Sequence, residues 1–102
     1  MKLASPTDFD LLTELQDGKR NNAVNLSHHL DKNRAYINTR LPVLADYGLV
    51  DRVGPAPNSG LYVITDRGRV AAELRGEYDR AEDFEALIET TLSDGEVRHS
   101  GD

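Results

Sequence analysis

A mainly α-helical fold with one small β-hairpin is what this 102-residue sequence predicts. Three observations predict it. Apolar residues recur at spacings of three and four in several separate stretches, the signature of helices with one buried face. Residues 22–50, NAVNLSHHLDKNRAYINTRLPVLADYGLV, read as two short helices, a tight turn between them and the first strand of a hairpin. Two β-rich runs, residues 49–53 and 61–65, flank a seven-residue stretch with two glycines and two prolines, which marks a hairpin and its tip.

Ser5-Pro6-Thr7-Asp8 is a helix start, with Ser5 as cap, Pro6 at the first helical position and Asp8 near the positive end of the dipole. Met1 to Ser5 form a loosely held lead. Phe9, Leu12 and Leu15, with Leu11 alongside, face the core, and Gly18 ends the helix. Lys19-Arg20-Asn21 is a polar link whose two cations are candidates for phosphate contact. Asn22 caps the next helix, which buries Ala23 or Val24, then Leu26 and Leu30. Asp31-Lys32-Asn33 is the turn, and Asn33 caps the second helix.

That second helix places Ile37, Leu41 and Leu44 on one face. Ala35, Thr39, Pro42 and Asp46 make the opposite face, flanked by Tyr36 and Asn38, with Arg34 and Arg40 nearer the core edge. Pro42 removes the hydrogen bond to the carbonyl of Asn38, at a cost of about 3 kcal/mol, and predicts a bend. Gly48 ends the helix in a left-handed turn. Two helices joined by so short a turn are a helix-turn-helix, whose second helix enters the major groove of DNA.

The hairpin tip carries no cation, and Arg52 stands at its base. Any grip on a minor groove falls to backbone N–H groups, to Asn58 and Ser59, or to Arg52. Thr65 caps a further helix that buries Val70, Ala71, Leu74 and Tyr78, with Gly76 weakening its end. Arg67 and Arg69 lie in the first turn of that helix, where the dipole disfavours cations, and so point to an anionic partner nearby. Residues 80–92, RAEDFEALIETTL, place Ala81, Phe84, Leu87 or Ile88, and Leu92 on one stripe, which a helix this short must bury either on its own domain or on the same helix of a second subunit, the dimer being favoured. Residues 93–102 are polar and expected to be a disordered tail.

Composition sets the outer bounds. With 38% hydrophobic residues the chain suits one small domain with a modest core. Cysteine is absent, which excludes disulfides and thiolate metal sites and makes a reducing cytoplasm the expected location. No apolar run has the length of a membrane span or a signal-peptide core.

The net charge of −6 argues at first against nucleic acid. Its distribution argues the other way. Residues 19–69 carry eight cations against four carboxylates, whereas residues 1–18 have one cation against four and residues 70–102 three against ten. The basic segment coincides with the helix-turn-helix and the hairpin. Few lysines, nine arginines and acidic ends also fit the surface of a protein from a salt-rich, halophilic cytoplasm.

His28 and His29 are adjacent and point about a hundred degrees apart on a helix, so they form no zinc pair; one partly buried and one exposed ring are expected. No glycine-rich phosphate loop and no nucleophile–base pair stands out, so neither catalysis nor a metal or cofactor is expected.

Together the helix-turn-helix, the hairpin and the LYVITDRGR run resemble the winged helix-turn-helix transcription regulators, broadly the MarR- and PadR-like group. The nearest look is to small haloarchaeal phage-repressor-like proteins. NRAYINTRLPVLADYGLV and LYVITDRGR carry the resemblance, which covers about residues 6–78. It implies a three-helix core plus wing over residues 1–78, followed by a C-terminal amphipathic helix at 79–92. Carried onto matching positions, it implies base contacts from Arg34, Ala35, Tyr36, Asn38 and Thr39, with Arg40 on phosphate. Backbone contacts are expected from Lys19, Arg20, Lys32, Arg40 and Arg52. The expected function is a homodimeric, sequence-specific repressor of transcription acting on double-stranded DNA, with Phe84, Leu87, Ile88 and Leu92 forming the dimer seam. Pro42 and the uncharged tip depart from the family pattern. The competing expectation is a winged-helix interaction module in a transcription or replication assembly, whose acidic 77–89 surface meets a basic partner.

Overall fold

The computed structural model of the chain describes residues 1–54 and 60–100, the last six of them by backbone alone. It is mainly helical, with five α-helices and a two-stranded antiparallel hairpin among the described residues. The order is α1 (Thr7–Glu14), α2 (Ala23–Leu30), α3 (Arg34–Asp46), β1 (Val50–Val53), β2 (Leu61–Ile64), α4 (Asp66–Glu73) and α5 (Phe84–Ser100). No helix among the described residues is long and apolar enough to cross a membrane.

Local chemistry accounts for most element boundaries. The side chain of Asn22 accepts from the N–H of Asn25, and that of Asn33 from Tyr36, so each asparagine caps the helix it precedes. Helix α3 closes with Gly48 at φ 77°, where the N–H of Gly48 donates to Ala45 and that of Leu49 to Leu44. This is the paired bond pattern of a Schellman ending, and Leu44 and Leu49, both fully buried, supply its apolar contact. Helix α3 runs without interruption through Pro42. Thr65 accepts from the N–H of Gly68 as a cap and donates its own hydroxyl to the carbonyl of Gly48. The start of α4 is thereby tied to the end of α3.

At the amino end the structure departs from the sequence reading. Helix α1 begins at Thr7, one residue later than expected, and Pro6 at its cap has no side-chain bond. The carboxylate of Asp8 does the capping in reverse, accepting from the N–H of Ala4. Nor is the lead loose. Leu3 is buried, Tyr78 donates to and accepts from its backbone, and Tyr47 does the same for Lys2.

The core is shared by every element. Leu11, Leu12 and Leu15 of the first helix and its 3-10 extension meet Leu26, Ile37, Leu41 and Leu44 from α2 and α3, with no exposed surface on any of them. Val50 of β1 opposes Ile64 of β2, and both point inward. On the far side Phe9, Tyr78 and Phe84 pack edge to face with ring centres 5.0–6.0 Å apart.

Helix α5 therefore uses its stripe within its own chain. Phe84 and Ile88 are buried in the core, and Leu87 and Leu92 are half-buried against it. This corrects the expected dimer seam at Phe84 and Ile88: α4 and the aromatic trio supply the apolar cover that a second subunit was expected to supply. The helix also begins later, at Phe84, and continues to Ser100, past the Leu92 at which the sequence reading ended it and through most of the expected tail. Ile88→Ala is expected to cost about 2–5 kcal/mol of unfolding free energy at any protein concentration. Chemical denaturation at two concentrations a hundredfold apart checks this; a loss seen only in the dilute sample would return Ile88 to a subunit interface.

Candidate nucleic-acid interface

Helix α3 is divided lengthwise. Ile37, Leu41 and Leu44 are fully buried, while Arg34, Ala35, Tyr36, Asn38 and Thr39 are exposed. The cap at Asn33 fixes where the helix starts, and the buried triplet fixes its rotation, so the five expected base-reading residues share one free surface. Tyr36 is 43% exposed, which places it with the outward residues. Thr39 donates its hydroxyl to the carbonyl of Tyr36, so what it presents outward is a methyl group and an acceptor. Arg34 and Asn38 have no side-chain partner among the described residues, and their donors are free for a ligand.

The expected phosphate contacts separate into distinct groups. Lys19 and Arg20 are exposed, and their side chains have no carboxylate partner among the described residues. Their link is held by Asn21, which exchanges backbone hydrogen bonds with Tyr62 at 2.8 and 2.9 Å and so adds a one-residue bridge to the open edge of β2. No strand-length apolar run announces that bridge in the sequence. Arg52 sits opposite Tyr62 in register, its guanidinium over the ring and bonded to the hydroxyl. Lys32 lies 3.5 Å from Asp10, which also takes Arg75 at 3.1 Å. Asn58 and Ser59, expected at the wing tip, lie outside the described residues.

Arg40 is a correction. Its Nε and Nη2 donate to the two carboxylate oxygens of Asp8 at 2.9 and 2.8 Å, and Asp8 is fully buried. The hydrogen bonds it donates to Asp8 raise the pKa of the guanidinium further above its ordinary value. Arg40 belongs to a fork between α1 and α3 whose carboxylate is buried, and two of the donors expected on phosphate are taken by Asp8.

The misplaced cations of α4 also find partners inside the chain. Arg67 pairs with Glu85 and Glu89 of α5, and Arg69 donates to the carbonyl of Gln16 at the end of the first helix. Both are thus satisfied without an external ligand.

No family model, curated protein or solved structure matches the chain.

With the pairs assigned, the acidic ends have a use: Asp8, Asp10, Glu85 and Glu89 neutralise cations of the basic middle. What stays unpaired among the described residues of that middle is Lys19, Arg20 and Arg34. Both histidines of α2 are exposed, contrary to the expected buried and exposed pair, and His29 Nδ1 lies 3.0 Å from Glu14. No group of three possible metal ligands gathers among the described residues.

Proposed function

We propose that the chain is a sequence-specific DNA-binding transcription regulator with a winged helix-turn-helix, acting as a homodimeric repressor. The observation that carries this reading is the outer face of α3, where Arg34 and Asn38 present unpaired donors and Ala35 and Thr39 present methyl groups. Arginine and asparagine read guanine and adenine edges bidentately, and small methyl groups suit the thymine methyl. The turn geometry supports it as well, since α2 ends at Leu30 and α3 begins at Arg34, with Asn33, the last of the three residues between them, capping α3. The Asn21 bridge to β2 anchors Lys19 and Arg20 beside the hairpin, consistent with a link that follows a DNA backbone. A dimer must use surface other than Phe84 and Ile88.

The test is fluorescence anisotropy on the duplex upstream of the chain's own gene against a scrambled duplex, across a range of salt. Arg34→Ala is expected to lose about 1–3 kcal/mol of binding and to relax preference at one base pair, with unfolding unchanged. Unaltered affinity and preference in that variant would remove Arg34 from the interface. Failure of the folded wild type to bind any duplex would favour the protein-interaction module.

A further inference from the structure

The ion pairs that join the basic middle to the acidic ends differ in whether they can open. The Arg40–Asp8 pair cannot exchange partners readily, because removing Arg40 strands a carboxylate with no exposed surface. The Lys32–Asp10 pair can. Its side chains are 25% and 28% exposed, its separation is 3.5 Å, and Asp10 keeps a second cation when Lys32 leaves, since Arg75 donates to it at 3.1 Å. Lys32 also stands in the turn between α2 and α3, directly before the cap of the proposed reading helix. One turn further along α1, Glu14 engages His29 in the same open manner.

We propose that Asp10 is an internal stand-in for a nucleic-acid phosphate: Lys32 rests on it in the free protein and exchanges it for a backbone phosphate when double-stranded DNA binds. This rests on the duplex-binding reading above. A carboxylate and a phosphodiester offer an ammonium group the same kind of charge-assisted bond, so the two compete for one cation. Asp10 thereby lowers affinity for every duplex alike, because a phosphate carries no base identity. The magnitude is that of an exposed ion pair, about two- to fivefold in affinity at low salt. It fades at about 1 M salt, where screening shortens the reach of such charges to about 3 Å.

Asp10→Asn tests this, because asparagine retains an oxygen for Arg75 while giving up the charge that holds Lys32. Anisotropy titrations are run on the upstream and scrambled duplexes with the wild type, Asp10→Asn, Lys32→Ala and the double variant. Glu73→Gln, on an exposed residue of α4, is the control for net charge alone. Thermal unfolding of each protein in each buffer establishes that it is folded. The expected result is two- to fivefold tighter binding by Asp10→Asn on both duplexes at low salt, absent at high salt and absent in the Lys32→Ala background. Wild-type binding with no gain in Asp10→Asn overturns the exchange and leaves the DNA reading standing. So does an equal gain in Glu73→Gln or in the Lys32→Ala background. If no folded variant binds either duplex, the DNA reading fails and takes the exchange with it.

Discussion

Arg40→Ala is expected to lower the stability of the free protein by about 3–5 kcal/mol, with no DNA present. The deleted guanidinium makes two bonds to Asp8, whose carboxylate has no exposed surface and retains, among the described residues, only the N–H of Ala4. A bare buried charge is the most costly state available to this site. For a domain of this size the loss corresponds to a fall in melting temperature on the order of 20 °C. Circular dichroism melts of the purified protein read it directly. Arg40→Lys should recover only part of the loss, because an ammonium group cannot reproduce the two-point fork. Replacing both partners, as in Asp8→Leu with Arg40→Met, should be much milder than either single removal, since no charge is left behind. An Arg40→Ala melt within a few degrees of wild type would show that Asp8 is hydrated and the fork dispensable. Arg40 would then again be eligible for phosphate.

Gly68→Ala is expected to destabilise by about 3 kcal/mol, the reverse of what helix propensity predicts. Position 68 lies in the first turn of α4, where alanine would ordinarily gain about 1 kcal/mol over glycine. Here an added Cβ would stand 2.0 Å from the carbonyl oxygen of Leu49 and 2.8 Å from Cγ1 of Ile64. The first of these is backbone, so relief requires α4 to lift from the segment entering the hairpin. That movement would pull the Thr65 cap from Gly48 and open the junction at the end of α3. Urea unfolding of the variant gives the answer through its midpoint. A midpoint equal to or above that of wild type would mean that the start of α4 moves freely and does not brace α3.

The elements were legible in the sequence to the extent that their signals were local. Asn22, Asn33 and Thr65 act as caps because each reaches an N–H three residues ahead. Gly48 ends α3 because the chain must turn left-handed there. The periodicity of Ile37, Leu41 and Leu44 marked the buried face of α3 and put Ala35 and Thr39 opposite it with Tyr36 and Asn38 alongside, whereas Arg34, expected nearer the core edge, is exposed as well. The start of α1 lies one residue beyond the Ser-Pro signal, because that signal competes with a carboxylate at Asp8 that has a tertiary duty. For α5 the amphipathic stripe was visible, but a stripe states only that something covers it. Whether a second chain or the same chain does so depends on where Phe9 stands, far away along the sequence.

Charge shows the division most clearly. Sequence alone established that the middle of this chain is basic and its ends are acidic, since that is a matter of order along the chain. Packing settled which cations remain open to a ligand, because an ion pair needs only proximity in space. Arg40 finds Asp8 across 32 positions and Arg75 finds Asp10 across 65. Nothing local to either arginine marks it as taken, and Arg34 remains free because α3 turns it outward where no carboxylate among the described residues reaches.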